Sequence, residues 1–111
     1  MNIQFHDKRF QNECNDTRLL IRRQGALRAK KIRQRLDDLA AAENLEVMST
    51  LPGRCHDLKG DRRGQLSLDL ENPLRLIFMP SDIPPALKPD GGIDREKVRS
   101  VIIIGIEDTH E

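Results

Sequence analysis

Gln65-Leu66-Ser67-Leu68-Asp69-Leu70-Glu71-Asn72-Pro73-Leu74-Arg75-Leu76-Ile77-Phe78-Met79 alternates, turns, and runs back. Leucine at every second position from 66 to 70 is the pattern of a half-buried strand. Asn72-Pro73 marks the turn, and Leu74 to Met79 reads as the returning strand. Proline fixes φ at about −65°, which excludes the two-residue type I′ loop, where both residues need positive φ. A three-residue loop is therefore expected. That register puts Leu66, Leu68, Leu70, Leu76 and Phe78 on one face, and Ser67, Asp69, Arg75 and Ile77 on the other. The leucine face should pack on helices, leaving Arg75 on an open face.

Working outward, the N-terminal half has the spacing of helices. Ile3 and Phe5 alternate with polar neighbours, so residues 2–6 make a short opening strand. Asp7 is positioned to cap a short helix over 8–14, and Asp16 the next one, which carries Leu19, Leu20 and Ile21. Gly25 interrupts or bends that segment. Ile32, Leu36 and Leu39 then fall on one face of a helix running to about Ala42. Residues 43–51 read as a short helical turn closed by Pro52-Gly53. Downstream, residues 80–92 hold four prolines and two glycines and read as an irregular surface loop. Asp94 starts a brief turn. Val98 to Ile106 is the most apolar stretch and reads as an interior strand. The expected fold is α+β, one domain over 1–111, with N-terminal helices packed on a small, mostly antiparallel twisted sheet.

The 111 residues suffice for one core. With no Trp or Tyr and three Phe, that core must be aliphatic. No apolar run approaches the roughly 18–20 residues that span a bilayer. The first residues lack the charged-then-apolar order of a signal peptide, so a cytoplasmic protein is expected, with Cys14 and Cys55 as reduced thiols. A net charge of +1 hides an asymmetry: residues 1–64 carry 14 Lys/Arg against 9 Asp/Glu, and residues 65–111 carry 5 against 9. From Arg18 to Arg35, both included, there are eight basic residues and no acid. Such a face fits an anionic partner, although a charge run of this kind is most often a solvated helix face.

Chemistry is concentrated in Arg54-Cys55-His56-Asp57-Leu58-Lys59-Gly60-Asp61-Arg62-Arg63-Gly64 and in Glu107-Asp108-Thr109-His110. Cleaving RNA through its own 2′-hydroxyl needs a base, cations around the charged transition state, and an acid for the leaving 5′ oxygen. Histidine titrates near neutral pH and suits the proton transfers. His56, Lys59, Arg62, Arg63, Arg75 and His110 are the candidates. Lys59, Arg62 and Arg63 are equally what a solvated hairpin tip would carry, and His110 lies where chain ends fray. His6 reads as a surface residue. Cys55 beside His56 is poor metal-chelating spacing, because strand neighbours point to opposite faces, and nothing but that adjacency activates Cys55 as a nucleophile.

These residues are similar to a known pattern. His56, Leu58, Lys59, Gly60, Asp61, Arg62 and Gly64 match the His-x-Leu-Lys-Gly-Asp-Arg-x-Gly core of the HigB branch of the RelE/ParE superfamily, the toxins of bacterial toxin–antitoxin pairs. Leu74-Arg75-Leu76 with Phe78 stands where that branch has Trp-Arg-Ile and Phe, and Asp108-Thr109-His110 where it often ends Asp-Tyr-His. The resemblance implies a ribosome-dependent mRNA endonuclease. His56, Lys59, Arg75, Asp108 and His110 would form its catalytic set: His110 the base, His56 and Lys59 on phosphate or leaving group, Arg75 on the transition state. Arg54, Arg62, Arg63, Arg28, Lys30 and Lys31 would contact RNA. The implied partners are the ribosome with its mRNA and a helix-turn-helix antitoxin of the HigA kind. Operator DNA would be reached only through that antitoxin, with no membrane, metal or cofactor. Three positions depart from the pattern: Thr109 replaces Tyr, and Leu66 and Leu74 replace Trp. Base stacking of about 1–3 kcal/mol per base is lost with such aromatics. A ParE-like inhibitor of a protein such as gyrase shares the fold without needing histidines, and a degenerate toxin would keep only antitoxin or RNA binding.

Overall fold

Two aspartates start the first helices. The computed structural model describes residues 1–108, and in it Asp7 accepts from the Arg9 backbone N–H at 2.9 Å while Asp16 accepts from that of Leu19 at 3.2 Å. Each carboxylate satisfies a donor that the first helical turn would otherwise leave unpaired. α1 covers Lys8–Cys14 and α2 Thr17–Gln24. Gly25, at φ +82°, ends α2 and opens α3, Ala26–Ala41. That left-handed backbone value favours glycine and sets the corner between the helices.

Among the described residues five strands make one sheet: β1 (Asn2–Phe5), β2 (His56–Asp57), β3 (Leu66–Asp69), β4 (Leu74–Pro80) and β5 (Ser100–Asp108). Their order is β1-β5-β4-β3-β2, with β1 parallel to β5 and every other pair antiparallel. Short 3₁₀ turns at Leu45–Thr50, Gly60–Arg62 and Arg95–Lys97 complete the described residues. The fold is the α+β arrangement expected from the sequence.

The β3–β4 register is the one the proline turn requires. Leu66 pairs Phe78, Ser67 pairs Ile77, Leu68 pairs Leu76 and Asp69 pairs Arg75. The three-residue loop 71–73 closes with Leu70 N–H on the Leu74 carbonyl at 3.0 Å. Leu66, Leu68, Leu76, Phe78, Val101 and Ile103 are fully buried and face Ile32, Leu36 and Leu39 of α3. Each such leucine is worth roughly 2–5 kcal/mol against truncation to alanine. Leu66 therefore belongs to the core and not to any surface a base could stack on.

Two features depart from the sequence reading. Segment 80–94 is not wholly irregular, because Leu87 bridges Ile93 and Lys88 N–H reaches the Gly92 carbonyl at 2.7 Å, making a tight turn. The apolar pair Leu87 and Ile93 supplies that local order. The open face is also less bare than expected: Ser67 and Ile77 are fully buried although they point away from the helices. No helix among the described residues is long and apolar enough to cross a membrane.

Candidate functional site

The sheet face opposite the helices carries the polar residues in two rows. Pairing across four strands aligns His56, Ser67, Ile77 and Gly105 in one row. The next row is Asp69, Arg75 and Glu107.

His56 Nδ1 lies 3.0 Å from the Arg54 carbonyl oxygen. A carbonyl only accepts, so Nδ1 carries a proton and Nε2 is the nitrogen left to face a substrate. The Ser67 hydroxyl is 3.4 Å from Nδ1 and 3.3 Å from Nε2. A point so nearly equidistant lies over the imidazole and not along either nitrogen's lone pair. Ser67 is thus the floor on which the His56 ring rests, which explains a small buried hydroxyl at that position.

Asp69 links two cations. Its Oδ2 is 3.2 Å from Arg54 Nε, and its Oδ1 is 3.3 Å from Arg75 Nε. Oδ1 is buried and makes no hydrogen bond among the described residues, so its link to Arg75 is a purely ionic one. Arg54 reaches this arrangement with a backbone φ of +51°, rare for a residue with a side chain. Its carbonyl thereby fixes His56 while its guanidinium fixes Asp69.

Arg62 crosses to Glu107. Nη2 donates to Glu107 Oε2 at 2.8 Å, and Nε donates to Gln65 Oε1 at 3.0 Å. The hydrogen bond from Arg62 holds the Glu107 carboxyl below its ordinary value, and the same bond raises the guanidinium.

The expected site residues are only partly brought together. His56, Arg54 and Arg75 share the open face, and Arg62 reaches over to it. Lys59 and Arg63 line a neighbouring groove of about 1050 Å³ between the 59–64 turn and the 80–94 segment, with Leu58, Met79, Ile83 and Leu87. Asp108 pairs Leu74 and so falls on the strand face opposite to Glu107. Arg28, Lys30 and Lys31 sit on α3, in the layer on the far side of the sheet, and Arg28 is paired with Glu71 at 3.3 Å. His110 and Thr109 lie outside the described residues. Ser67 and Glu107 were not singled out by sequence reasoning. Ser67 was accessible from the same alternation that exposed Arg75; Glu107 was not.

Neither cysteine is an activated nucleophile. Burial pushes the Cys55 thiol up to about 11 and the Cys14 thiol up to about 12. Among the described residues no three His, Cys, Asp or Glu side chains converge as metal ligands would.

No family model matches this sequence, and no curated protein matches it. Solved structures do. The YoeB–YefM complex from Staphylococcus aureus aligns over 100% of this chain and 98% of that one, at 16% identity and a TM-score of 0.58. The YoeB/ParE toxin from Agrobacterium tumefaciens aligns over 99% and 100%, at 14% identity and a TM-score of 0.60. A YoeB dimer from S. aureus aligns over 100% and 98%, at 18% identity and a TM-score of 0.55. The chain therefore has the fold of YoeB/ParE-type toxins along its whole length, while identities this low carry the likeness no further than fold.

Proposed function

We propose that this chain is the toxin of a type II toxin–antitoxin pair, of HigB type, and that it cuts mRNA on the ribosome. The observation that carries the reading is the Arg54–Asp69–Arg75 chain beside His56, on the sheet face that the helices leave uncovered. Cations and an imidazole are among the groups that in-line attack by a 2′-hydroxyl requires. In this scheme His110 takes the 2′ proton, the 2′ oxygen bonds to phosphorus as the P–O5′ bond breaks to leave a 2′,3′-cyclic phosphate, and His56, protonated at Nε2, or the Lys59 ammonium gives the departing O5′ its proton. Arg75 stabilises the transition-state charge, while Asp108, on the opposite strand face, is given no step in this scheme. In this reading Arg54 and Arg63 would contact neighbouring phosphates, and Arg28, Lys30 and Lys31 ribosomal RNA.

The S. aureus YoeB occurs in a complex with YefM. By the same logic this chain is silenced by a partner, which the HigB resemblance makes a helix-turn-helix antitoxin. Operator DNA is then bound by that antitoxin alone, and the toxin acts in the cytoplasm.

The test is induction in growing bacteria of the wild-type chain beside His110→Ala, with mRNA 5′ ends mapped. Growth arrest with new cuts inside translated codons, absent in the mutant, supports the reading and the role of His110. Arrest without cuts, equal in both, moves the target to a protein such as gyrase. That second reading is favoured by Thr109, which removes the aromatic expected beside His110. Soluble protein with no arrest in either strain makes it a degenerate toxin.

A further inference from the structure

β5 changes face three residues before its acid, Glu107. It pairs with β4 as Ile77↔Gly105 and then Phe78↔Ile103, so Ile104 is the extra residue of a bulge. Under strict alternation, residue 107 would share a face with Val101 and Ile103, which sit in the core. The bulge reverses this. Ile106 packs against the core, and Glu107 emerges on the open face.

There it meets a residue from the far edge of the sheet. Arg62 lies in the 3₁₀ turn that follows β2, and β2 and β5 are separated by β3 and β4. Both terminal nitrogens of Arg62 engage Glu107, Nη1 at 2.5 Å from Oε1 and Nη2 at 2.8 Å from Oε2. Gln65 Oε1 accepts from Nε at 3.0 Å and from Nη2 at 2.9 Å, fixing the guanidinium plane from behind. A two-point pair of this kind sets direction as well as distance. It spans 45 residues of chain and ties the turn that carries Lys59 to the strand end that carries Asp108. In the strip of sheet between the joined strands, Ser67 and Ile77 are fully buried.

We propose that Arg62 and Glu107 form a lock across the open face, which makes Glu107 a positioning residue of the site. Arg62, in this role, is occupied by a protein carboxylate and is not a phosphate ligand. The lock holds the 59–64 turn and the end of β5 at a fixed separation across the face that carries His56 and Arg75. The positioning role rests on the RNA-cleavage reading above; the lock itself does not.

The experiment compares wild type, Glu107→Gln, Arg62→Lys and the exchange Arg62→Glu with Glu107→Arg. Two quantities are read: single-turnover cleavage on mRNA-programmed ribosomes, and amide hydrogen exchange over residues 59–65. The single variants should lower the cleavage rate constant about 10- to 100-fold, as misplaced groups do, with half-saturating ribosome concentration changed less than about twofold. Exchange over 59–65 should quicken about tenfold or more, because local opening is no longer opposed. The charge exchange should recover part of both. Glu107→Gln with wild-type cleavage overturns the positioning role. Tighter ribosome binding by Glu107→Gln, with cleavage retained, overturns it too, because Arg62 is then a phosphate ligand held in check. If the wild type cuts nothing, the cleavage reading fails and the positioning role with it. Hydrogen exchange still decides the lock in that case, and unchanged exchange in both single variants overturns it.

Discussion

Arg75 Nε stands 3.3 Å from Oδ1 of Asp69, its direct partner across the β3–β4 ladder. An oxygen that is buried, ionically paired and without a hydrogen bond orients the guanidinium and does little to satisfy itself. Asp69→Asn removes that orientation and one negative charge from the open face. Cleavage should fall about 10- to 100-fold, while RNA binds at least as tightly. Single-turnover rates beside a binding isotherm check this; unchanged rates would remove Asp69 from the site.

His56 rests on Ser67 and is anchored through Nδ1 to the Arg54 carbonyl. His56→Ala should lower cleavage by about 10²–10⁴, the usual range for a proton-transfer group, with the unfolding midpoint nearly unchanged because His56 is no part of the buried core. Ser67→Ala should cost only a small part of that. A His56→Ala protein that cleaves normally would leave His56 as mere hairpin surface.

How much of this was written in the sequence differs by residue. The face of Arg75 followed from two local facts, leucine alternation and a proline that forbids the shortest loop, and the structure has that register. The helix starts at Asp7 and Asp16 were legible for the same reason, since capping is a property of adjacent residues. The face of Glu107 was not legible. Ile102-Ile103-Ile104 is uniformly apolar, so nothing local says which isoleucine is skipped, and every residue after the bulge depends on that choice. The burial of Ser67 and Ile77 was hidden because it depends on how remote segments cover the open face.

Gly53 supports the site from beneath. Its φ is +112°, and a Cβ there would lie 2.8 Å from Arg35 Nε and 3.2 Å from Leu68 Cδ2. Arg35 is itself buried, with Nε donating to the Asp69 carbonyl at 2.8 Å. Gly53→Ala should therefore destabilise the fold by about 1–3 kcal/mol through backbone strain and displacement of Arg35. Urea denaturation measures it, and an unchanged midpoint would mean that Arg35 yields freely.

Cys55 adjoins His56, yet its thiol is pushed up to about 11, first by burial. At pH 8 such a thiol is about one part in a thousand thiolate, and the thiolate is the reactive form. Alkylation of the folded protein should be slow at both cysteines and should become fast only in denaturant. Rapid labelling of native Cys55 by iodoacetamide would reopen it as a nucleophile.

The Arg62–Glu107 pair also predicts a dependence on acid. Glu107 is held below its ordinary 4.5, first by the hydrogen bond from Arg62. A carboxyl depressed by folding stabilises the folded state fully above its unfolded value, and that contribution disappears as pH falls through the lower folded value. Wild type should thus exceed Glu107→Gln in urea midpoint by a constant margin at neutral pH. The margin should begin to close only below about pH 4.5, because only there does the unfolded carboxyl take up protons first. Midpoints of both proteins from pH 7 to pH 3 measure it. A margin that closes already between pH 7 and pH 5 would assign the dependence to a histidine and leave Glu107 without this role.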